Sequence, residues 1–271
     1  MSLGKQIRMN RLFGHPSGRF CSVAVDHASG YQHGLPEGLR DLPGTIKTIM
    51  TEGADAITMH KGPAKNCWGP YAGKIPLIVQ SSFLRPDDTT SELVACPEDA
   101  LRLGADAFAI VGYMYGPTEG MYVRRAADAV RQAEPWGLPV VMHVYPRKYS
   151  ADGTCAISFE PEHIAWAVRC GIEVGVDIIK VPFTGDVKSY RDIVRSCPVP
   201  VVAAGGPKTD TIQSSLDLAA GVIAAGAKGL TIGRNIWGTK EPAKTLRAFK
   251  MVIHDGVSSA VAMKKAGLRE K

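Results

Sequence analysis

With 271 residues, 45% of them hydrophobic and 21% charged, the chain is composed to fold around one sizeable core, and no apolar run approaches the roughly 18 residues that a membrane-spanning helix needs. Its net charge of +6 and pI near 9.0 come from 32 basic and 26 acidic residues that are dispersed, with no basic run and no nucleic-acid-binding motif, so the excess suits a small anionic substrate better than DNA or RNA. The first residues carry no apolar stretch ending in a small-residue cleavage site, and six scattered cysteines without a C-x-x-C read as reduced thiols; both predict a cytoplasmic protein.

Residues 1–19 read as an N-terminal extension. After them, short apolar runs recur at 20–27, 55–61, 75–81, 106–113, 139–146, 176–181, 199–205 and 228–234. Helix-like stretches separate most of these, at 42–53, 96–104, 120–137, 160–175, 190–197 and 212–226. Strand, helix, strand, repeated, predicts parallel pairing. Three of the helices run into Gly53-Ala54-Asp55, Gly104-Ala105-Asp106 and Gly175-Val176-Asp177, with glycine placed to end the helix and turn the chain back. Eight such units in about 250 residues predict a single-domain α/β fold, the (β/α)8 TIM barrel. An open doubly wound sheet is the alternative, but no G-x-G-x-x-G turn follows the first strand.

In a barrel of this kind the C-terminal ends of the strands carry the chemistry. Those ends are Asp26 and His27, His60 and Lys61, Gln80 and Ser81, Tyr113 and Tyr115, Tyr145 and Arg147, Lys180, Gly205 and Gly206, and Gly233 and Arg234. Lys180 follows Ile178 at the strand period of two, so it points into the barrel if Ile178 does. A flanking carboxylate, Asp177 or Asp186, is the bland explanation for it, although Asp177 lies an odd number of residues away and should face the helices. Desolvation at a barrel mouth disfavours an ammonium and frees an amine to attack a carbonyl and form a Schiff base. Asp26 is in phase with Ser22 and Ala24, and Tyr145 with Val141 and His143; a carboxylate and a phenol beside an amine supply proton transfer for carbon–carbon cleavage. The loops 203–210 and 231–237 bring Gly205, Gly206, Gly233 and Arg234 to the place where this architecture binds phosphate. His27, His60 and His143 are enough for zinc in number, but no H-x-H or H-x-x-E-H spacing accompanies them, and no metal is expected. His15, His33, His163, His254 and the four tryptophans read as surface or packing residues.

The series VDH (25–27), HKG (60–62), YPR (145–147), DIIKVPFTGD (177–186), GGPKT (205–209) and GRNIW (233–237) resembles the archaeal-type class I fructose-bisphosphate aldolases. They belong to the deoxyribose-phosphate and tagatose-bisphosphate aldolase superfamily, and their family also holds an aminodeoxyheptulosonate synthase and a thiolase acting on phosphorylated autoinducer-2. The resemblance implies a lyase that cleaves a phosphorylated ketose, fructose 1,6-bisphosphate or a related ketose 1-phosphate, to dihydroxyacetone phosphate and an aldehyde. It implies Lys180 as the Schiff-base lysine with no other cofactor, Tyr145 as the proton-transfer residue, Asp26 as an active-site carboxylate, and Gly206, Gly233 and Arg234 around the C1 phosphate. Gly205, His27, Lys61, His143 and Arg147 complete the expected substrate-binding set. A homo-oligomer, such as a decameric ring, is implied as well. A transaldolase-type synthase or thiolase is the alternative activity, and a non-catalytic sugar-phosphate sensor a weaker one.

The chain departs from the family pattern at Ala28 and Lys148, where glycine is usual, at Phe183 in place of tyrosine, and at His143 where the sugar aldolases tend to carry tryptophan. His143, Arg147 and Lys148 together are expected to face an anionic group on the distal carbons of the substrate, with fructose 1,6-bisphosphate cleaved but not preferred.

Overall fold

Strand pairing runs once around a closed circle. In the computed structural model, which describes residues 1–27 and 34–269, eight parallel strands join edge to edge in chain order: β1 (Phe20–Ala24), β2 (Ala56–His60), β3 (Leu77–Gln80), β4 (Ala107–Met114), β5 (Val140–Tyr149), β6 (Ile178–Val181), β7 (Val201–Ala204) and β8 (Gly229–Ile232). β8 pairs with β1 through Phe20↔Gly229 and Ser22↔Thr231, closing the (β/α)8 barrel. Ala28 and His33 lie outside the described residues.

The strands read as almost unbroken apolar runs because both of their faces are buried. One set of side chains, including Val23, Ile57, Met59, Val79, Ile179, Val181 and Ile232, packs against the surrounding helices. The alternate set, Phe20, Ala56, Ile78, Ala107, Ala109, Val141, Ile178 and Val202, forms a second cluster inside the barrel. Leu12, Met9 and Phe13 close that inner cluster from below. They belong to helix α1 (Leu3–Leu12) and the residue after it, so the N-terminal extension is a plug in the floor of the barrel.

The three Gly-x-Asp turns explain the floor further. Gly53, Gly104 and Gly175 are all left-handed, at φ 67°, 70° and 79°, which a side chain would resist. Each following aspartate accepts from an N–H at the start of a strand: Asp55 from Cys21 at 2.6 Å, Asp106 from Leu77 at 3.3 Å, and Asp177 from Val140 at 2.9 Å. Each also meets a cation or histidine: His254 at 3.0 Å from Asp55, Arg11 at 2.9 Å from Asp106, and Lys5 at 3.1 Å from Asp177. Asp177 therefore does not simply face the helices; it is tied to α1 beneath the barrel.

At the opposite end the loops are longer. A hairpin, Ser82–Leu84 with Ser91–Leu93, follows β3, and Cys155–Ile157 turns back onto the extended end of β5. Beyond β8, Pro242–Lys250 packs between Leu42–Glu52 and Ile212–Ala224 as the last helix of the ring, and Ser259–Ala266 adds one helix outside the eightfold repeat. Among the described residues no helix is long and apolar enough to cross a membrane.

Candidate active site

β6 places its residues by the period of two: Ile178 sits in the inner cluster, Ile179 faces the helices, and Lys180 again faces inward, only 5% exposed. The register sets Lys180 between His143 of β5 and Val202 of β7. Neither carboxylate near it in sequence serves it. Asp177 is held by Lys5 at the floor, and Asp186 caps the following helix by accepting from the Ser189 N–H at 2.8 Å. Among the described residues no carboxylate comes within ion-pairing distance of Lys180.

Asp26 lies just past β1 and is buried beside this lysine. Its Oδ2 accepts from Gln80 Nε2 at 3.1 Å, and its Oδ1 is 3.5 Å from His27 Nδ1. Burial alone would raise its pKa, but the fields of His27, Lys180, His60 and His143 outweigh burial and bring it down to about 2. Burial pushes His27 down to about 4 against the pull of Asp26, and pushes His143 well below the ordinary histidine range, with Lys180 adding to the effect. Both imidazoles are therefore neutral at pH 7.

Tyr145 stands one inward step above His143, its ring 6.0 Å from that of Tyr113. Burial and the neighbouring Tyr145 and Tyr122 drive the Tyr113 phenol far above its ordinary pKa, so it stays neutral. His60 brackets the site with its two ring nitrogens, each 3.2 Å from a backbone carbonyl, of Gln80 and of Asp26.

The loops after β7 and β8 meet beside this cluster. Asn235 cross-braces them, its Nδ2 donating to the carbonyls of Gly205 and Pro207 at 2.8 and 2.9 Å and its Oδ1 accepting from the Thr209 N–H at 3.0 Å. Arg234 donates to the Gly206 carbonyl at 3.1 Å. Gly233 has no room for a side chain: a Cβ there would lie 2.4 Å from Cε1 of His27. The ring of Trp237 stands edge-on to His27, and its Nε1–H donates to the Ala24 carbonyl at 2.9 Å.

A family profile described as DeoC/LacD family aldolase matches residues 20–239, which spans the barrel from the first strand past the last. The chain belongs to this aldolase family. It is 32% identical to the class 1 fructose-bisphosphate aldolase of Thermoproteus tenax over 88% of this chain and 91% of that protein. It is 31% identical to 2-amino-3,7-dideoxy-D-threo-hept-6-ulosonate synthase of Halobacterium salinarum over 98% of this chain and 97% of that one. An archaeal fructose-1,6-bisphosphate aldolase, solved with its catalytic lysine covalently bound to the carbinolamine intermediate, superposes with a TM-score of 0.80 at 28% identity, over 92% of this chain and 99% of that one. This chain is thus a class I aldolase, a lyase whose chemistry runs through a lysine Schiff base and needs no separate cofactor.

Within the aldolase, Lys180, Asp26, Tyr145, His27 and His143 gather at one end of the barrel, beside Gly205, Gly206, Gly233 and Arg234. Two expected members are elsewhere. Lys61 is the first residue of helix Lys61–Cys67, turns outward, and pairs with Asp99 at 3.3 Å. Arg147 is only 1% exposed and fully engaged: it donates to the carbonyls of Tyr115 and Pro86, to Asp88 at 2.7 Å and to Thr118, with the rings of Tyr113, Tyr122 and Tyr149 about it. Its partners Asp88 and Tyr115 are the two non-glycine residues with positive φ among those described, so Arg147 braces a strained rim. Lys148 pairs with Glu160 at 2.6 Å on the surface. The expected pair of distal cations is therefore missing from the cavity wall. Phe183 packs edge-on against Tyr190, within the helix layer. The strand-end reading included Gln80 but gave it no role; its phase with Ile78 was the available signal.

Proposed function

We propose that Lys180 is the Schiff-base lysine and that the substrate is a ketose 1-phosphate whose distal end carries no second phosphate requirement. The observation that carries this reading is a buried lysine with no carboxylate at ion-pairing distance among the described residues, sharing with Asp26 and Tyr145 the end of the barrel where two glycine-bearing loops converge. The neutral Lys180 amine adds to the ketone carbon, and Tyr145 gives its phenolic proton to the carbinolamine hydroxyl, which leaves as water, so that an iminium and a Tyr145 phenolate remain. Tyr145 takes the proton of the C4 hydroxyl as the C3–C4 bond breaks; the bond pair moves into the iminium as an enamine while C4 leaves as an aldehyde. Tyr145 returns a proton to C3, and hydrolysis frees dihydroxyacetone phosphate. Asp26, ionised at working pH, orients the hydroxyls, and Gly206, Gly233 and Arg234 hold the C1 phosphate. The inward-facing histidine and the diverted Arg147 and Lys148 support a distal end recognised by neutral donors.

The same enamine captured by a different acceptor would give the synthase chemistry named for the Halobacterium salinarum relative, and the engagement of Arg147 and Lys148 elsewhere favours keeping that second reading. Borohydride added with dihydroxyacetone phosphate should inactivate the enzyme and add the reduced ligand's mass to the peptide bearing Lys180. Unmodified Lys180, or full activity in Lys180→Met, overturns the assignment; product analysis with and without an added aldehyde acceptor separates the two activities.

A further inference from the structure

A primary amide has two hydrogens to give, and the side chain of Gln80 has two acceptors to receive them. The backbone N–H of Ser82 donates to Gln80 Oε1 at 3.0 Å, which fixes the orientation of the amide. Its Nε2 then points at two atoms, Asp26 Oδ2 and His143 Nδ1, both 3.1 Å away. Asp26 is ionised and takes one hydrogen. The other goes to His143 Nδ1, and a ring nitrogen that accepts is unprotonated, so the hydrogen of this imidazole resides on Nε2.

His143 is 2% exposed, and its Nε2 has no hydrogen-bond partner among the described residues. The ring lies beside Lys180, its partner in strand register, and one inward step below Tyr145. Buried donors are satisfied as a rule, and one left unmet calls for an explanation, of which a catalytic role is one. The groups facing this ring are Gln80, Asp26, His27 and Lys180; the cation among them and the burial both keep the imidazole neutral. A neutral N–H serves a hydroxyl or carbonyl oxygen, whereas a phosphate would be met by a charge.

Resting on the assignment of Lys180 above, we propose that Gln80 is a positioning residue that locks His143 in its Nε2–H form, and that His143 donates this hydrogen to an uncharged oxygen of the substrate adjoining the carbon bound to Lys180. One amide thereby sets two groups at once: the carboxylate of Asp26 and the donor of His143.

The test uses the full-length enzyme. In ¹⁵N-histidine spectra, His143 should show an unprotonated Nδ1 in the wild type. Gln80→Glu, which keeps the shape but puts an acceptor where the donor was, should move a hydrogen onto Nδ1. Gln80→Met and His143→Leu should each lower kcat/KM for a ketose 1-phosphate by about 10-fold or more, the worth of one buried hydrogen bond, and the double variant should be little worse than either single one. His143→Gln, which can present an N–H at a similar reach, should recover most of the loss. Trapping by borohydride at Lys180 should persist in every variant. If the wild type is not trapped at Lys180, the parent reading fails. If trapping holds but Nδ1 is protonated in the wild type, or Gln80→Met is fully active, or the two substitutions add, this inference alone is overturned.

Discussion

The two ends of this barrel handle charge in opposite ways. At the floor, Asp55, Asp106 and Asp177 each cap a strand and each face His254, Arg11 or Lys5, so every one of these carboxylates is satisfied twice. At the mouth, among the described residues, Lys180 lies buried with no carboxylate at ion-pairing distance, and His143 keeps an unmet donor. Satisfied networks lend rigidity, and unmet groups keep interaction energy in reserve for a ligand. The floor should therefore answer to stability measurements and the mouth to kinetics.

The largest break in that contrast comes from Lys180→Met. Activity should fall on the order of 10⁴-fold or more, as expected on losing a covalent nucleophile, while the melting temperature holds or rises. Asp177→Ala should do the reverse, leaving kcat near wild type at a permissive temperature while costing about 1–3 kcal/mol in denaturant unfolding, because it leaves the Val140 N–H unpaired and Lys5 with Glu134 alone. Similar kinetic losses in both variants would dissolve the distinction between the two ends. Next in size is Tyr145→Phe, for which kcat should drop by about 10²- to 10⁴-fold with Schiff-base trapping intact. Arg234→Ala should raise KM for the phosphorylated ketose by about 10- to 100-fold, the loss of one charge-assisted contact.

The smallest effect is a pH dependence. His27 has a folded pKa near 4, below its ordinary value, and His143 is shifted the same way. The unfolded chain therefore binds these protons more readily, and stability should decline as pH falls from about 6.5 toward 4. Asp26 works with the opposite sign of charge: its lowered pKa contributes stability above its ordinary value that is lost only as pH falls toward about 2. Melting curves across pH 4–7 should show a shallower slope for His143→Leu than for the wild type; equal slopes would mean that the mouth histidines do not titrate on unfolding.

Sequence periodicity made the strands and their order legible, because a strand buried on both faces leaves a short apolar run whatever its neighbours are. It also made the inward phase of Lys180, Asp26, Tyr145 and His143 legible, since that depends only on the period of two. It failed where the period changed or where partners came from afar. Lys61 follows β2 by one residue, but the chain is already helical there, and a helical step swings the side chain away from the barrel mouth. Arg147 keeps the strand phase, yet its fate is decided by Pro86, Asp88, Tyr115 and Thr118 in two loops that carry no periodic signal. Gln80 was visible as a strand end, while its two acceptors became apparent only once β1, β3 and β5 were brought round to one layer. The plug formed by α1 was hidden for the same reason: its seat is made of strands distributed over the whole chain.

That plug has a consequence for how the molecule is made. α1 leaves the ribosome before the barrel strands do, yet Lys5 waits for Glu134 and Asp177, and Ser17 and Arg19, just behind the helix, wait for His254 and Ile253. A helix synthesised before its barrel is thus among the last elements to find its berth. Until then its apolar side and the barrel's lower lining are both open to other chains, which makes late synthesis the interval of greatest exposure to aggregation.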